Sequence, residues 1–344
     1  MNNYPIDFIV TWVDGNDPVW RAEKEKYQGV AAGTDSRNRR YRDWELLRYW
    51  FRAIEQNAPW VNKIYFVTYG HLPEWINLDN PKLVIINHHD YIPEKYLPTF
   101  SSRPIDMNFH RIDSLSEHFV YFNDDMFILE ATTPEDFFHN GLPKDMSIEE
   151  PQFDKGVDQN GESVSSKSIY TASFYNTAVI NRHFNKRKVI RENRGKWYSL
   201  KYGKWLINNI LLSRWPFFVG FRNSHMPYSY LKSTYSKVWN LEEEVLDSAC
   251  VHKFRTSTDV NHVLFSFWQL AEGKYFPRED KLGTILSIRN DESRNEEVYE
   301  TIRNHKFKLL CINDQYSGEN FEIVKGNLQS SFEILYPKKS SFEK

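Results

Sequence analysis

The sequence predicts an α/β fold built on a mostly parallel sheet, with helical insertions in its second half. Three observations carry this. Short runs rich in β-branched and aromatic residues recur at 6–13, 63–68, 83–87 and 119–122. A helical-period segment lies between the first two, where Leu47, Trp50, Phe51, Ile54 and Ala58 share one face. The composition is that of an ordinary globular chain: of 344 residues, 40% are hydrophobic and 26% charged, enough for one large domain or two intimate ones.

Taken in order, residues 6–13 read as a buried first strand, closed by the turn formers Asp14-Gly15-Asn16-Asp17-Pro18. A loop with Arg37, Arg39, Arg40 and Arg42 follows. Asp43 then reads as the N-cap of a helix through Asn57, which Ala58-Pro59 stops. Residues 63–68 form the second strand, with Tyr69-Gly70 as its exit, and 83–87 the third, ending in His88-His89-Asp90. A helix over 104–115 leads into the central strand at 119–122. Strand, helix, strand and strand at these intervals give the order of a nucleotide-binding α/β sheet.

After Glu130 the pattern loosens. Residues 156–161 read as a lid-like loop, 167–181 as partly helical, and 182–204 as strongly basic. Residues 241–254 and 260–270 read as helices, the second capped by Asp259 or Thr258. From Thr284 the tail reads as short strands and charged turns. The expected division is an α/β core over 1–130, a helical and basic insertion completing the domain over 131–283, and a C-terminal segment over 284–344.

The net charge of −2 gives no global pull towards nucleic acid or membrane. Cys250 and Cys311 have no metal-ligand spacing and read as reduced thiols. Residues 1–5 lack a charged start followed by an apolar core. The most apolar segment, 206–221, contains Asn208, Asn209, Arg214 and Pro216 and is too short and polar to span a bilayer. A soluble, cytoplasmic protein is the expectation. The 11 Trp, 20 Tyr and 24 Phe suit sugar or base stacking and suit a core equally.

The chemistry centres on Asn123-Asp124-Asp125-Met126, at the end of the fourth strand. In an open α/β sheet the crevice lies at the carboxyl ends of the strands. Two adjacent acids there either make a polar turn or hold Mg²⁺ (or Mn²⁺) and, through it, nucleotide phosphates. Asp14 and Asp17 suit a base or ribose, or an Asx-turn. In 101–111, Arg103 and Arg111 nearly share a helix face with Asn108 and suit a pyrophosphate clamp, while His110 is a base or a satisfied structural histidine. His225 in Arg222-Asn223-Ser224-His225 carries the same two readings. Around 254–261 a helix start beside Arg255 and Asn261 offers an anion site or simple capping. The basic stretch from Arg182 to Lys204 is a solvated face, or meets an anionic membrane or a phosphate-bearing polymer. No nucleic-acid module surrounds it. There is no P-loop, dinucleotide fingerprint, nucleophile elbow or zinc spacing.

Together and in this order, these segments resemble the Stealth family of sugar-1-phosphate transferases. Residues 6–18 look like its first conserved region, 42–77 like the second, 88–127 like the third and 225–239 like a weaker fourth. Tyr69 departs from the usual Asp of a Thr-Asp-Gly turn, and Ser102-Arg103 from the usual sequence after Phe100. The resemblance implies a nucleotide-sugar-transferase-like (GT-A/Rossmann-like) sheet. It implies a UDP-hexose or UDP-N-acetylhexosamine donor, with the metal at Asp124 and Asp125. Arg103, Arg111 and Arg255 would stabilise the transferring phosphoryl group, and Asp14, Asp17, Arg48, Asn123 and Asn261 would surround the nucleotide. His225 or His110 would be the general base. The implied acceptor is a lipid-linked oligosaccharide or polysaccharide at the inner face of the membrane, with the basic stretch as a peripheral contact. The alternatives are an ordinary glycosyltransferase releasing UDP and a non-catalytic glycan- or nucleotide-binding protein.

Overall fold

The computed structural model describes residues 4–28, 41–153, 169–256 and 258–344. The loop arginines Arg37, Arg39 and Arg40, the lid-like loop at 156–161 and Ser257 lie outside the described residues. The strands are β1 (Ile6–Trp12), β2 (Ile64–Thr68), β3 (Leu83–Asn87), β4 (His118–Phe122), β5 (Met126–Ile128), β6 (Phe138–His139), β7 (Leu142–Asp145), β8 (Tyr228–Leu231), β9 (Phe276–Pro277), β10 (Gly283–Ile288) and β11 (Leu309–Asp314).

The largest sheet has the order β3-β2-β1-β4-β8. Its first four strands pair in parallel, and β8 joins antiparallel to β4. Central parallel strands are covered on both faces, so their residues are apolar nearly throughout. Phe8, Ile9, Val10, Phe119, Val120 and Phe122 are fully buried accordingly. Two smaller sheets, β10-β11-β5 and β6-β7-β9, each mix parallel and antiparallel pairs. The fold is α/β with mixed sheets.

The one charge inside the main sheet ties its amino-terminal end together. Asp7 is buried and accepts from Asn62 Nδ2 (2.7 Å), the Lys63 N–H (3.2 Å) and the Ser116 N–H (2.8 Å). These bonds satisfy the carboxylate where water cannot. The approaches to β1, β2 and β4 are thereby joined at one point.

The helix Leu47–Asn57 begins three residues later than expected after its Asp43 cap, and Leu46 precedes it. The helix expected over 104–115 is instead the short helix Ser102–Met107 followed by a 3₁₀ turn, Phe109–Arg111. Asn108 separates them, its side chain donating back to the Pro104 carbonyl. Later in the insertion, Lys232–Leu241, Glu243–Cys250 and Val263–Ala271 are helical; the last starts after His262, with Asp259 paired to Arg103.

The tail is not only strands and turns. Helices Glu292–Arg303 and Phe321–Leu335 alternate with β10 and β11. The tail packs onto the helix Leu47–Asn57, where buried Arg52 meets Glu333 and Glu343 and donates to the Tyr336 carbonyl. Arg42 forms a two-pronged pair with Asp314. The tail therefore closes one flank of the core.

The basic stretch is not a uniform solvated face. Lys186 is buried and paired with equally buried Glu149 at 2.7 Å. Lys196 donates to the Gly273 carbonyl, and Trp197 and Tyr202 are core residues. Removing one partner of a buried pair leaves an uncompensated charge. Lys186→Met should cost about 3–5 kcal/mol in chemical denaturation, and adding Glu149→Leu should recover most of that loss.

Candidate functional site

β1 and β4 lie side by side with Val10 opposite Phe122, so both release their chains at the same edge. From β1 the chain proceeds outward to β2 and β3, then returns to the other side of β1 as β4. The crevice between the carboxyl ends of β1 and β4 is thus the switch point at which open α/β sheets bind ligands. Asp14 follows β1 there, and Asn123, Asp124 and Asp125 follow β4.

Asp43 joins them. Its carboxylate accepts from Trp12 Nε1 at 3.3 Å and from the Glu45 N–H at 2.6 Å, an anchorage to the end of β1 rather than a helix cap. Burial pushes its pKa up, and the Asp14 carboxylate adds to the rise. Asp124 is exposed at the level of the whole residue, yet enclosing protein strips water from its carboxylate. That desolvation, with the charges of Asp125 and Asp43, pushes its pKa up to about 7, while Arg255 pulls it down. Burial also raises Asp125, opposed by His225 and by the Cys311 thiol, which donates to it. Asp14 thus raises the cost of ionising Asp43, and Asp43 and Asp125 raise that of Asp124.

Such crowding fits a bound cation. Asp125 Oδ1 is buried without a hydrogen-bond partner. Donor atoms of Asp125, His225 and Cys311 lie within 4.8 Å of one another. Burial holds the Cys311 thiol well above its ordinary pKa, and the thiol donates to Asp125. The carboxylate oxygens of Asp124 and Asp125 are donors of the kind that Mg²⁺ or Mn²⁺ takes.

His225 reaches this crevice through β8. Antiparallel pairing places Tyr228 opposite Tyr121 near the end of β4, and His225 lies on the loop just before it. Its backbone is left-handed at φ 44°, a strained state for a residue with a side chain. The Asn223 carboxamide holds it, accepting from the His225 N–H at 2.9 Å and from the Tyr228 hydroxyl at 2.8 Å. His225 Nε2 lies 3.9 Å from Asp125 Oδ2.

Of the three arginines proposed for phosphoryl stabilisation, one is electrostatically coupled to the crevice carboxylates. Arg255 acts on Asp124 and donates to Ser102 Oγ at 2.7 Å. Arg103 is spent on a buried ion pair with Asp259 at 2.6 Å and donates to the Thr256 carbonyl. It fixes the loop that carries Arg255. Arg111 bonds Asn108 and covers the Trp239 ring. His110 packs against Tyr235 and Trp239, and burial pushes its pKa down to about 3. The break at Asn108 puts this pair against the helix Lys232–Leu241 instead of the crevice. The histidine brought beside Asp125 is His225.

The remaining candidates divide similarly. Asp14 accepts from the Asn16 N–H, as in the expected Asx-turn, and Asp17 accepts from the Trp20 N–H at the start of the following helix. His71 Nε2 accepts from the Asp14 N–H at 2.7 Å and braces that turn. Arg48 is exposed and lies over the Trp75 ring. Asn261 exchanges hydrogen bonds with Asn176 and accepts from the Val263 N–H. Sequence reasoning missed Asp43, Cys311 and His71 as site neighbours. Asp43 was hidden by its resemblance to a cap, and Cys311 lies in a strand that only tertiary pairing brings to Met126.

Comparison with known proteins adds three family-model matches: Stealth protein CR1, conserved region 1, at 4–29; CR2, conserved region 2, at 40–145; and CR4, conserved region 4, at 300–344. The second region thus takes in both segments expected as the second and third, and the fourth lies in the tail rather than at 225–239. The chain is 42% identical over 341 residues to a capsular polysaccharide phosphotransferase, WcwK, of Streptococcus pneumoniae, covering 98% of this chain and 99% of the relative. It is 39% identical over 346 residues to the receptor polysaccharide phosphotransferase WefC of Streptococcus gordonii, covering 98% of each. It is 36% identical over 343 residues to the exopolysaccharide phosphotransferase cps2G of Lactiplantibacillus plantarum, covering 99% of this chain and 97% of the relative.

The raised pKa of Asp124 has a stability signature. Between the ordinary carboxylate pKa and about 7, the unfolded chain is ionised there while the folded one keeps its proton. The folded state therefore binds more protons, and stability falls as pH rises through that window. In metal-free buffer, Asp124→Asn should raise Tm most above pH 7, and the gain should shrink towards zero by about pH 4. Added Mg²⁺ or Mn²⁺ should raise the wild-type Tm at pH 8 and leave the variant unmoved, as scanning calorimetry would show.

Proposed function

Because this chain belongs to the Stealth family and is a sugar-phosphate transferase, we propose that it moves a hexose 1-phosphate or N-acetylhexosamine 1-phosphate from a UDP-sugar to a hydroxyl of a growing cell-surface polysaccharide. The observation that carries this reading is the convergence of His225 with the coupled carboxylates Asp124 and Asp125 at the switch point. The parallel order β3-β2-β1-β4 supports a sheet of the nucleotide-sugar-transferase kind.

The acceptor hydroxyl oxygen attacks the phosphorus that bears the sugar, and the bond from that phosphorus to the bridging oxygen breaks. UMP leaves with the bridging oxygen, and the product is a phosphodiester. The sugar C1–O bond is untouched, so the anomeric configuration is kept. His225 takes the hydroxyl proton; Asn223 fixes its loop and Asp125 lies beside its Nε2. Arg255, held by Ser102, faces charge that grows on the phosphoryl oxygens. Arg103 acts by positioning it through Asp259 and Thr256. Asp124 and Asp125 would hold Mg²⁺ or Mn²⁺, which when bound offsets the charge of the donor phosphates. Asp14 and Asp43, at the end of β1, border the nucleotide side of the crevice. The acceptor in this reading is a lipid-linked oligosaccharide, which places the enzyme in the cytoplasm at the inner membrane face.

The test is the nucleotide released from UDP-sugars with divalent cation and acceptor. UMP matched by phosphodiester is the expected result, whereas UDP would assign attack at C1 and an ordinary glycosyltransferase. His225→Gln should slow transfer by about 10²–10⁴-fold, and His110→Gln should change it by no more than a few-fold.

A further inference from the structure

One short helix of the insertion is inside out. In Leu206–Leu212 the buried residue is Asn209, while Ile207, Ile210 and Leu211 are exposed and Leu206, Asn208 and Leu212 half-buried. Asn209, 2% exposed, accepts from the Glu149 N–H and donates to the Ser147 and Trp197 carbonyls. Asn208 donates to the Glu149 carbonyl, and buried Lys186 to the Leu212 carbonyl. These bonds fix the helix with Ile207, Ile210 and Leu211 on its outer side, one face at helical spacing. Leu211 is 72% exposed, Leu200 before it 87%, and Trp215 and Phe217 after it about half. Six of the fifteen exposed large apolar side chains among the described residues fall within 200–217. Hydrophobic side chains gathered on a surface this way mark an interaction site.

The charge around this face selects its occupant. Arg187, Lys188, Arg191, Arg194, Lys201, Lys204 and Arg214 are exposed, and none has a carboxylate partner within 4.0 Å among the described residues. Glu192 is the single acidic residue between Arg182 and Gly220. An apolar face carrying Trp and Phe, bordered by unpaired Lys and Arg, has the chemistry of a segment lying in the headgroup layer of an anionic bilayer. A protein partner would have to supply acids around an apolar cleft; a bilayer presents both at once. No helix among the described residues is long and apolar enough to cross a membrane, so the contact is interfacial.

We propose that Ile207, Ile210, Leu211, Trp215 and Phe217 insert into the surface of an anionic membrane and that the surrounding basic residues hold the headgroups. The docking face rests, for its purpose, on the reading of a lipid-linked acceptor. Its geometry is independent of the chemistry in the crevice. Lys186, inside the same basic stretch, is part of the scaffold beneath it and not of the contact.

The test is flotation of the full chain with vesicles of phosphatidylcholine and phosphatidylglycerol, compared with phosphatidylcholine alone. The wild type should float with the anionic vesicles and be released by high salt. Ile207→Ser, Ile210→Ser and Leu211→Ser together should lower the partition constant at least about tenfold. Tm and UMP release with a water-soluble acceptor should stay unchanged. Failure of the wild type to bind, or equal binding by the triple variant, overturns the proposal. So does a concentration-dependent dimer that the triple variant dissolves, which would assign the face to a second copy. Loss of UMP release with intact flotation would reject the proposed reaction and leave the docking face standing.

Discussion

The parallel pairing of β1 with β4 is the constraint on which the site depends. Their register brings the segments after Trp12 and after Phe122 out of the sheet at one edge. Because β2 and β3 occupy the far side of β1, nothing in the sheet fills the opening between those two ends. Asp7 secures the opposite end of the same strands by bonds to Asn62, Lys63 and Ser116. One buried carboxylate thus serves as a clamp at the bottom of the sheet. Those at the top instead raise the pKa of their neighbours.

The contrast between the two ends is physical. Asp7 has three donors at hydrogen-bond distance, whereas Asp125 retains a buried oxygen with none. That oxygen sits on a carboxylate that raises the pKa of its neighbour Asp124. The strained backbone at His225 lies beside this carboxylate, with Nε2 3.9 Å from Asp125 Oδ2. Around it lies a shell of hydrogen-bonded and ion-paired groups. Arg103 with Asp259, Asn261 with Asn176, and His71 with the Asp14 turn fix the loops without touching the crevice chemistry.

The insertion uses polar bonding in the reverse of the ordinary sense. Around Glu149, a buried ion pair and an asparagine bonded at both ends do the work that apolar contacts usually do. The apolar side chains of the neighbouring helix are consequently left for the surface. Polar networks of this kind specify one orientation, because rotating the helix would orphan several buried groups at once.

Much of this was legible in the residues. The runs of β-branched and aromatic residues gave the four parallel strands within a residue at each end, because strands buried on both faces allow little else. Asp124 and Asp125 were legible because a strand broken by consecutive acids is a local pattern. The choice between His110 and His225 was not, since both are single histidines beside arginine or asparagine. Their places differ because the helix break at Asn108 packs His110 against Trp239, while antiparallel β8 carries His225 to the end of β4. Helical spacing marks residues that share a face, but which face turns inward depends on the partner. So the basic run read alike at Lys186 and Lys188, and Asn209 read only as a reason against a membrane span. The sequence by itself determined which segments were strands and which carried acids. Only the tertiary structure decided which charges meet and which apolar face stays outside, because those depend on contacts between residues far apart in the chain.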